Sequence, residues 1–378
     1  MMDRIELRGL DTFLLAWLLL AVFFGAIAAF VWWLDGGRSQ PLFPAQRVRA
    51  APWRVMDVAL AALVYIGLDY AASVLFGLRD PDRYLGAVLR AETHAEVAAG
   101  LPAGSYSGLV SAFRGLAAHA LEAGEQARRQ VWATAAARPL QCVALILLLT
   151  VVAGGRLYQL GITTHRWRRV LVAGYLVWLL VTPLAKVAFW LLLHFEVPQP
   201  HPVETVIRQA GTLRDWGLVL FTILLAAPLL EELIFRGFLQ PILVHSPALS
   251  DLVLLATMLG IIVSGTAQVW DRGFLSTPWP IILLIGTGAG YLAFERIMGR
   301  WLPRPGAARA IYATSVLFAM LHVSSWPAPL PLFVLSLGLG YLAYRTQSLW
   351  GPVLVHSMFN LTTLLELWLS GPNKARLP

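Results

Sequence analysis

Three ionisable side chains, Glu231, Glu232 and Arg236, stand inside an otherwise apolar run from about Trp216 to Leu243. Charge at hydrocarbon depth costs roughly 2.5 to 3.5 kcal/mol per residue on insertion scales, so its presence there points to function. On a helix, Glu232 and Arg236 lie at i and i+4 on one face, whereas Glu231 is rotated by about 100° from its neighbour. The guanidinium can then neutralise one carboxylate and leave the other free. A free carboxylate in a low-dielectric site can act as a general base. The plain alternative is a charged cap on a cytoplasmic helix end. Against it, the apolar run continues past Arg236 through Phe238, Leu239, Ile242, Leu243 and Val244.

Two further intramembrane pairs follow. Phe318 and His322 share one face at i and i+4, and so do His356 and Asn360 near the start of the last apolar block. Either histidine alone has an ordinary explanation, as a helix-end residue or an interhelical hydrogen bond. With Glu231 they supply a base, a second proton carrier or water-orienting group, and two donors able to stabilise an oxyanion. That is an inventory for hydrolysing an amide. Two histidines and two glutamates can also form a zinc site with an open position for water. The lack of a His-Glu-x-x-His helix, and the presence of Asn360, a poor zinc ligand, favour a reaction without a metal or other cofactor.

These residues must be positioned by a membrane bundle. The chain is 58% hydrophobic and 13% charged, with apolar stretches that repeatedly exceed about 18 residues. Helices are the expected spanning element, because each satisfies its own backbone polar groups in lipid. The expected class is all-α, a polytopic bundle with spans near 11–34, 55–77, 139–154, 169–195, 216–243, 251–268, 278–298, 308–325, 331–346 and 350–370. The short block at 139–154 borrows from Val131 to Ala137. The block at 251–268, with Ser264, Gly265, Thr266 and Gln268, reads as re-entrant. Ala26-Ile27-Ala28 looks like a leader cleavage site, but the run continues through Leu34, which reads as an uncleaved anchor. Cys142 is the lone cysteine and offers no intramolecular disulfide.

The arginines orient the bundle. Arg38, Arg47, Arg49 and Arg54 fall in the first loop, Arg156, Arg166, Arg168 and Arg169 in the third, Arg300, Arg304 and Arg309 in the seventh, and Arg345 in the ninth. The positive-inside rule puts these odd loops in the cytoplasm and both termini on the other side. Because they flank spans instead of forming a stripe, they give no reason to invoke nucleic acid.

Two regions are expected. Residues 1–200 form an N-terminal membrane region that includes an extracytoplasmic amphipathic segment at 79–138, and residues 216–370 form a catalytic membrane domain. Gly288 to Phe294 echoes Gly338 to Tyr344, through either shared packing chemistry or duplication of a helix pair.

The ordered set of Glu231-Glu232 with Arg236, Phe318 with His322, and Ser348-Leu349-Trp350-Gly351-Pro352 leading to His356 and Asn360 resembles the CAAX-processing and bacteriocin-processing family of intramembrane glutamic endopeptidases, related to the Ras-converting type 2 CAAX prenyl protease. Gly237, Thr346 and the Gly338–Tyr344 stretch also fit. The resemblance covers roughly 216–365. It implies that Glu231 and His322 activate a water, that His356 and Asn360 hold the oxyanion, and that Glu232, Arg236 and Phe318 support them. It also implies a membrane-associated or lipidated, CAAX-like polypeptide substrate, with the cavity opening toward the cytoplasmic side. This chain departs from the family pattern in that about 80 residues separate Arg236 from Phe318, which reads as a helix pair inserted at 251–298.

A different class stays in view, a transporter or a non-catalytic immunity or binding protein. Asp57, Asp69, Lys186 and Glu366 could then line an ion path. Convergence of Glu231, His322, His356 and Asn360 would favour the enzyme, whereas grouping of Asp69 or Lys186 with the central glutamates would favour transport.

Overall fold

The computed structural model describes residues 2–35, 43, 48–78, 129–193, 212–269, 279–302, 304–325 and 327–370. Ten helical segments stand where ten spans were expected: α1 (Met2–Leu34), α2 (Val55–Leu75), α3 (Arg129–Val152), α4 (Trp167–Leu193), α5 (Leu213–His245), α6 (Pro247–Val269), α7 (Trp279–Met298), α8 (Ala307–Met320), α9 (Pro329–Thr346) and α10 (Trp350–Ser370). Six of them, α1 to α5 and α7, are long and apolar enough to cross a membrane. Their outward faces carry large apolar residues such as Leu18, Val22 and Phe23 on α1 and Ile281, Ile285 and Leu292 on α7. Water would penalise that much exposed apolar surface and lipid does not. The protein is an all-helical integral membrane bundle.

Local chemistry explains where several helices begin. Thr212 caps α5 by accepting from Asp215 N at 3.1 Å, while the Asp215 carboxylate accepts from Thr212 N at 3.3 Å. Arg54 N donates to Asp57 Oδ2 at 2.7 Å at the start of α2. Asp57 is therefore a helix-capping acid and not a charge within an ion path. Gly306, in the left-handed region at φ 84°, turns the chain into α8.

Residues 251–268 lie within one continuous helix, α6, whose ladder no proline interrupts there. One expectation is corrected. His322 does not ride on the helix of Phe318, because α8 stops at Met320 and His322 lies in the turn beyond. The borrowing of Val131 to Ala137 by the third span holds, as α3 begins at Arg129. Most of the amphipathic segment expected at 79–138, namely 79–128, lies outside the described residues.

Helix α8 lies at the centre of the C-terminal half, packed by α6 and α7 on one side and α9 on the other. Its buried face, Ala307, Ala310, Ile311, Ala313 and Val316, is built from small and branched residues that let four helices approach. The second core joins α1, α4, α9 and α10 around Trp178, Leu335, Leu339 and Val355. The related glycine stretches serve packing unequally. A Cβ on Gly338 would lie 2.6 Å from Val181, whereas its counterpart Gly288 faces open space; at the second position both glycines are needed, Gly340 against Ile311 and Gly290 against the Tyr312 hydroxyl. The α6–α7 pair is fastened to α8 by Arg309, which contacts Glu295 at 2.5 Å and Asp251 at 3.1 Å.

Candidate active site

Helix α5 carries the glutamates on a single α-helical turn, Ala227–Glu232, between two wide π-register segments, Thr222–Ala226 and Leu233–Leu239. The sequence contains the cause, although its meaning shows only in three dimensions. Pro228 and Pro241 have no N–H to continue the ladder, and the turn before each one widens. Ala227 N–H reaches back five residues to Thr222 O, so the next donor in that register would be residue 228, a proline. The Ile223 carbonyl thereby loses its backbone partner. Asn360 Nδ2 donates to it at 2.9 Å. The pattern recurs farther along α5. Gln240 N–H reaches Phe235 O, Pro241 cannot follow, and the Arg236 carbonyl accepts from Arg49 Nη2 at 3.3 Å.

The i, i+4 pair forms as expected. Arg236 Nη1 donates to Glu232 Oε1 at 3.1 Å, with both side chains at 0% exposure. The other end of the guanidinium donates to the Ser336 hydroxyl and to the Ser336 carbonyl, 3.3 Å away on α9. Glu232 Oε1 also meets His356 Nδ1 at 2.9 Å. Arg236 neutralises this carboxylate, so it is the acceptor; His356 Nδ1 then carries the hydrogen, and Nε2 faces Glu231. Glu231 Oε2 lies 3.8 Å from Nε2 and its side chain is 29% exposed. That spacing is too long for a direct hydrogen bond, but an oxygen about 2.8 Å from each atom can cap the pair. One imidazole thus joins both glutamates, with the buried one as its support and the half-buried one beside its free nitrogen.

Phe318 connects the remaining groups. Its ring is edge-on to Phe235 at 5.2 Å and to His356 at 5.8 Å, is tilted against His322 at 5.1 Å, and lies under the Arg236 guanidinium at 4.8 Å. His322 Nδ1 donates to Phe318 O at 2.9 Å, which orients the ring and leaves Nε2 for a water or substrate. The structure therefore gathers Glu231, Glu232, Arg236, Phe318, His322 and His356 around one aromatic ring. Asn360 sits one turn beyond His356 against the same helix as the glutamates, with one amide hydrogen committed to Ile223 O.

Asn360 thus has a structural contact as well as any chemical one. Truncating it to Ala is expected to destabilise the fold by about 1 kcal/mol, the usual net worth of such a hydrogen bond at a partly buried site. Thermal unfolding in detergent measures this, and an Asn360→Ala protein as stable as the wild type would contradict the contact.

Sequence reasoning missed Ser336, Phe235 and Arg49. Arg49 was counted among the loop cations, but it is 9% exposed and bonded through its backbone N to Gln347 Oε1 at 2.8 Å. Burial pulls its guanidinium down to about 10. The prolines that bracket the glutamates were the available signal. The charges considered for an ion path are placed elsewhere: Lys186 pairs with Glu366 at 2.5 Å, and Asp69 lies 3.8 Å from Arg138. Among the described residues, no three His, Cys, Asp or Glu side chains converge as a metal-binding group.

Residues 214–299 and 292–362 match the family model described as Type II CAAX prenyl endopeptidase Rce1-like, which bears out the resemblance. Together these stretches contain all seven predicted site residues. No curated protein and no solved structure matches the chain.

Proposed function

We propose, from this family similarity and the geometry around His356, that residues 216–370 form a glutamate-dependent intramembrane endopeptidase. The observation that carries the reading is the single imidazole bonded to buried Glu232 at 2.9 Å and facing half-buried Glu231 at 3.8 Å. Glu231, with His322 Nε2 orienting the nucleophile, takes a proton from a water as its oxygen adds to the scissile carbonyl carbon. The oxyanion is held by His356 and by the second amide hydrogen of Asn360. Collapse of the tetrahedral intermediate breaks the C–N bond, and Glu231 returns its proton to the leaving amine. Glu232, Arg236 and Phe318 position these groups and do not touch the reacting atoms.

The substrate we assign is a membrane-associated or lipidated, CAAX-like polypeptide that enters from the cytoplasmic side. The arginine-rich odd loops and the position of Arg236 toward that end of α5 support this direction. Helices α6 and α7 pack on α8.

The decisive experiment incubates purified protein in lipid nanodiscs with matched prenylated, acylated and unmodified peptides, with and without chelator, and reads new termini by mass spectrometry. Cleavage of lipidated peptides that persists in chelator is expected. Activity lost to chelator and restored by zinc would replace this mechanism with a metal-dependent one. No cleavage in any arm would remove the proteolytic reading.

A further inference from the structure

The segment 48–54 inserts two side chains into widened backbone. Trp53 Nε1 donates to Leu149 O at 3.1 Å, at the π-register end of α3, and its ring is edge-on to Phe238 at 5.4 Å. Arg49 reaches the Arg236 carbonyl that Pro241 leaves without a backbone donor. The cation is held in place from several sides. Gln347, in the left-handed conformation at φ 52° after α9, accepts from Arg49 N at 2.8 Å and from Nε at 3.3 Å, and donates its own amide to Tyr344 O. Gly161, at φ 82°, makes room for the guanidinium, since a Cβ there would lie 2.1 Å from Nη1. Among the described residues Arg49 has no ion-pair partner, so its hydrogen bonds go to neutral acceptors. Burying a guanidinium without a counter-ion is costly, and the hydrogen bonds from Arg49 N, Nε and Nη2 to neutral acceptors offset part of that cost.

We propose that Arg49 is a positioning residue for the glutamate site. By satisfying the Arg236 carbonyl it holds the wide-register segment 233–239, and with it the guanidinium that supports Glu232 and, through Glu232, His356. A purely structural cation would affect stability alone. A positioning cation acts on the turnover step, and its need is conditional on Pro241. The kinetic consequence rests on the proteolytic reading, whereas the backbone consequence does not.

The test is a double-substitution cycle on the full chain in nanodiscs, with Arg49→Met, Pro241→Ala and both together. It is read by hydrogen–deuterium exchange of peptides covering 233–241 and by peptide cleavage. Arg49→Met alone should speed exchange in this segment at least tenfold and lower kcat at least tenfold, with KM within twofold. In the Pro241→Ala background, where residue 241 regains an N–H, removing Arg49 should change exchange less than threefold. Arg49→Lys, which keeps a donor, should fall between wild type and Arg49→Met. If Arg49→Met does not fold, recovery of folded protein in the double variant carries the same prediction, and no recovery overturns it. Equal acceleration in both backgrounds, or no acceleration in either, also overturns the proposal. If no peptide is cut even by wild type, the exchange arms still decide the positioning role, so its failure stays separate from that of the proteolytic reading.

Discussion

Replacing Glu231 with Gln is expected to lower kcat for peptide cleavage by about 10² to 10⁴-fold, the usual contribution of a positioned general base. The amide keeps the size of the carboxylate but cannot take a proton from water. The fold should survive, because Glu231 is 29% exposed and its described ionic neighbour is a histidine 3.8 Å away, beyond hydrogen-bond distance. Melting temperature in detergent should stay within a few degrees of wild type while product formation disappears. Retention of more than a tenth of wild-type kcat would reassign the base, with His322 the next group to test.

Replacing Arg236 with Met should have the opposite profile. The guanidinium and the Glu232 carboxylate are both at 0% exposure, so removing the cation strands a charge with His356 as its other described partner. Breaking a buried pair from one side costs about 3 to 5 kcal/mol, a large part of the stability of most folds. The folded fraction should fall sharply in equilibrium unfolding with a denaturing detergent. The double replacement Glu232→Gln with Arg236→Met should recover part of the loss, because no charge is left unpaired. An Arg236→Met protein as stable as wild type would sink the idea that this pair supports the site. The two adjacent glutamates thus have separable roles, since loss of Glu231 chemistry should spare the fold and loss of Glu232 support should not.

The site was legible in the sequence to the extent that it depends on short spacings. The Glu232–Arg236 pair survives the π register because a four-residue offset still returns both side chains to the same side of the helix. Phe318 and His322 meet even though the helix ends between them, because the imidazole bonds back to the Phe318 carbonyl. Reading His322 as helical gave the right neighbour by the wrong route. Arg49 does lie in the first loop, but its burial was not legible, because the positive-inside rule locates a charge along the chain and says nothing about whether it folds inward.

Hydropathy and helical periodicity act over one or two turns, so the amino-acid order alone determined that this is a helical membrane bundle of about ten segments, and which ionisable residues lie within it. Tertiary structure decided the pairings across long separations. His356 meets Glu232 across 124 positions, Asn360 meets Ile223 across 137, and Arg49 meets Arg236 across 187. Pro228 and Pro241 determine locally that two carbonyls lose their backbone donors. Which side chains fill those places depends on how helices distant in sequence pack, and packing is set by the shapes of whole helix faces that no short spacing records.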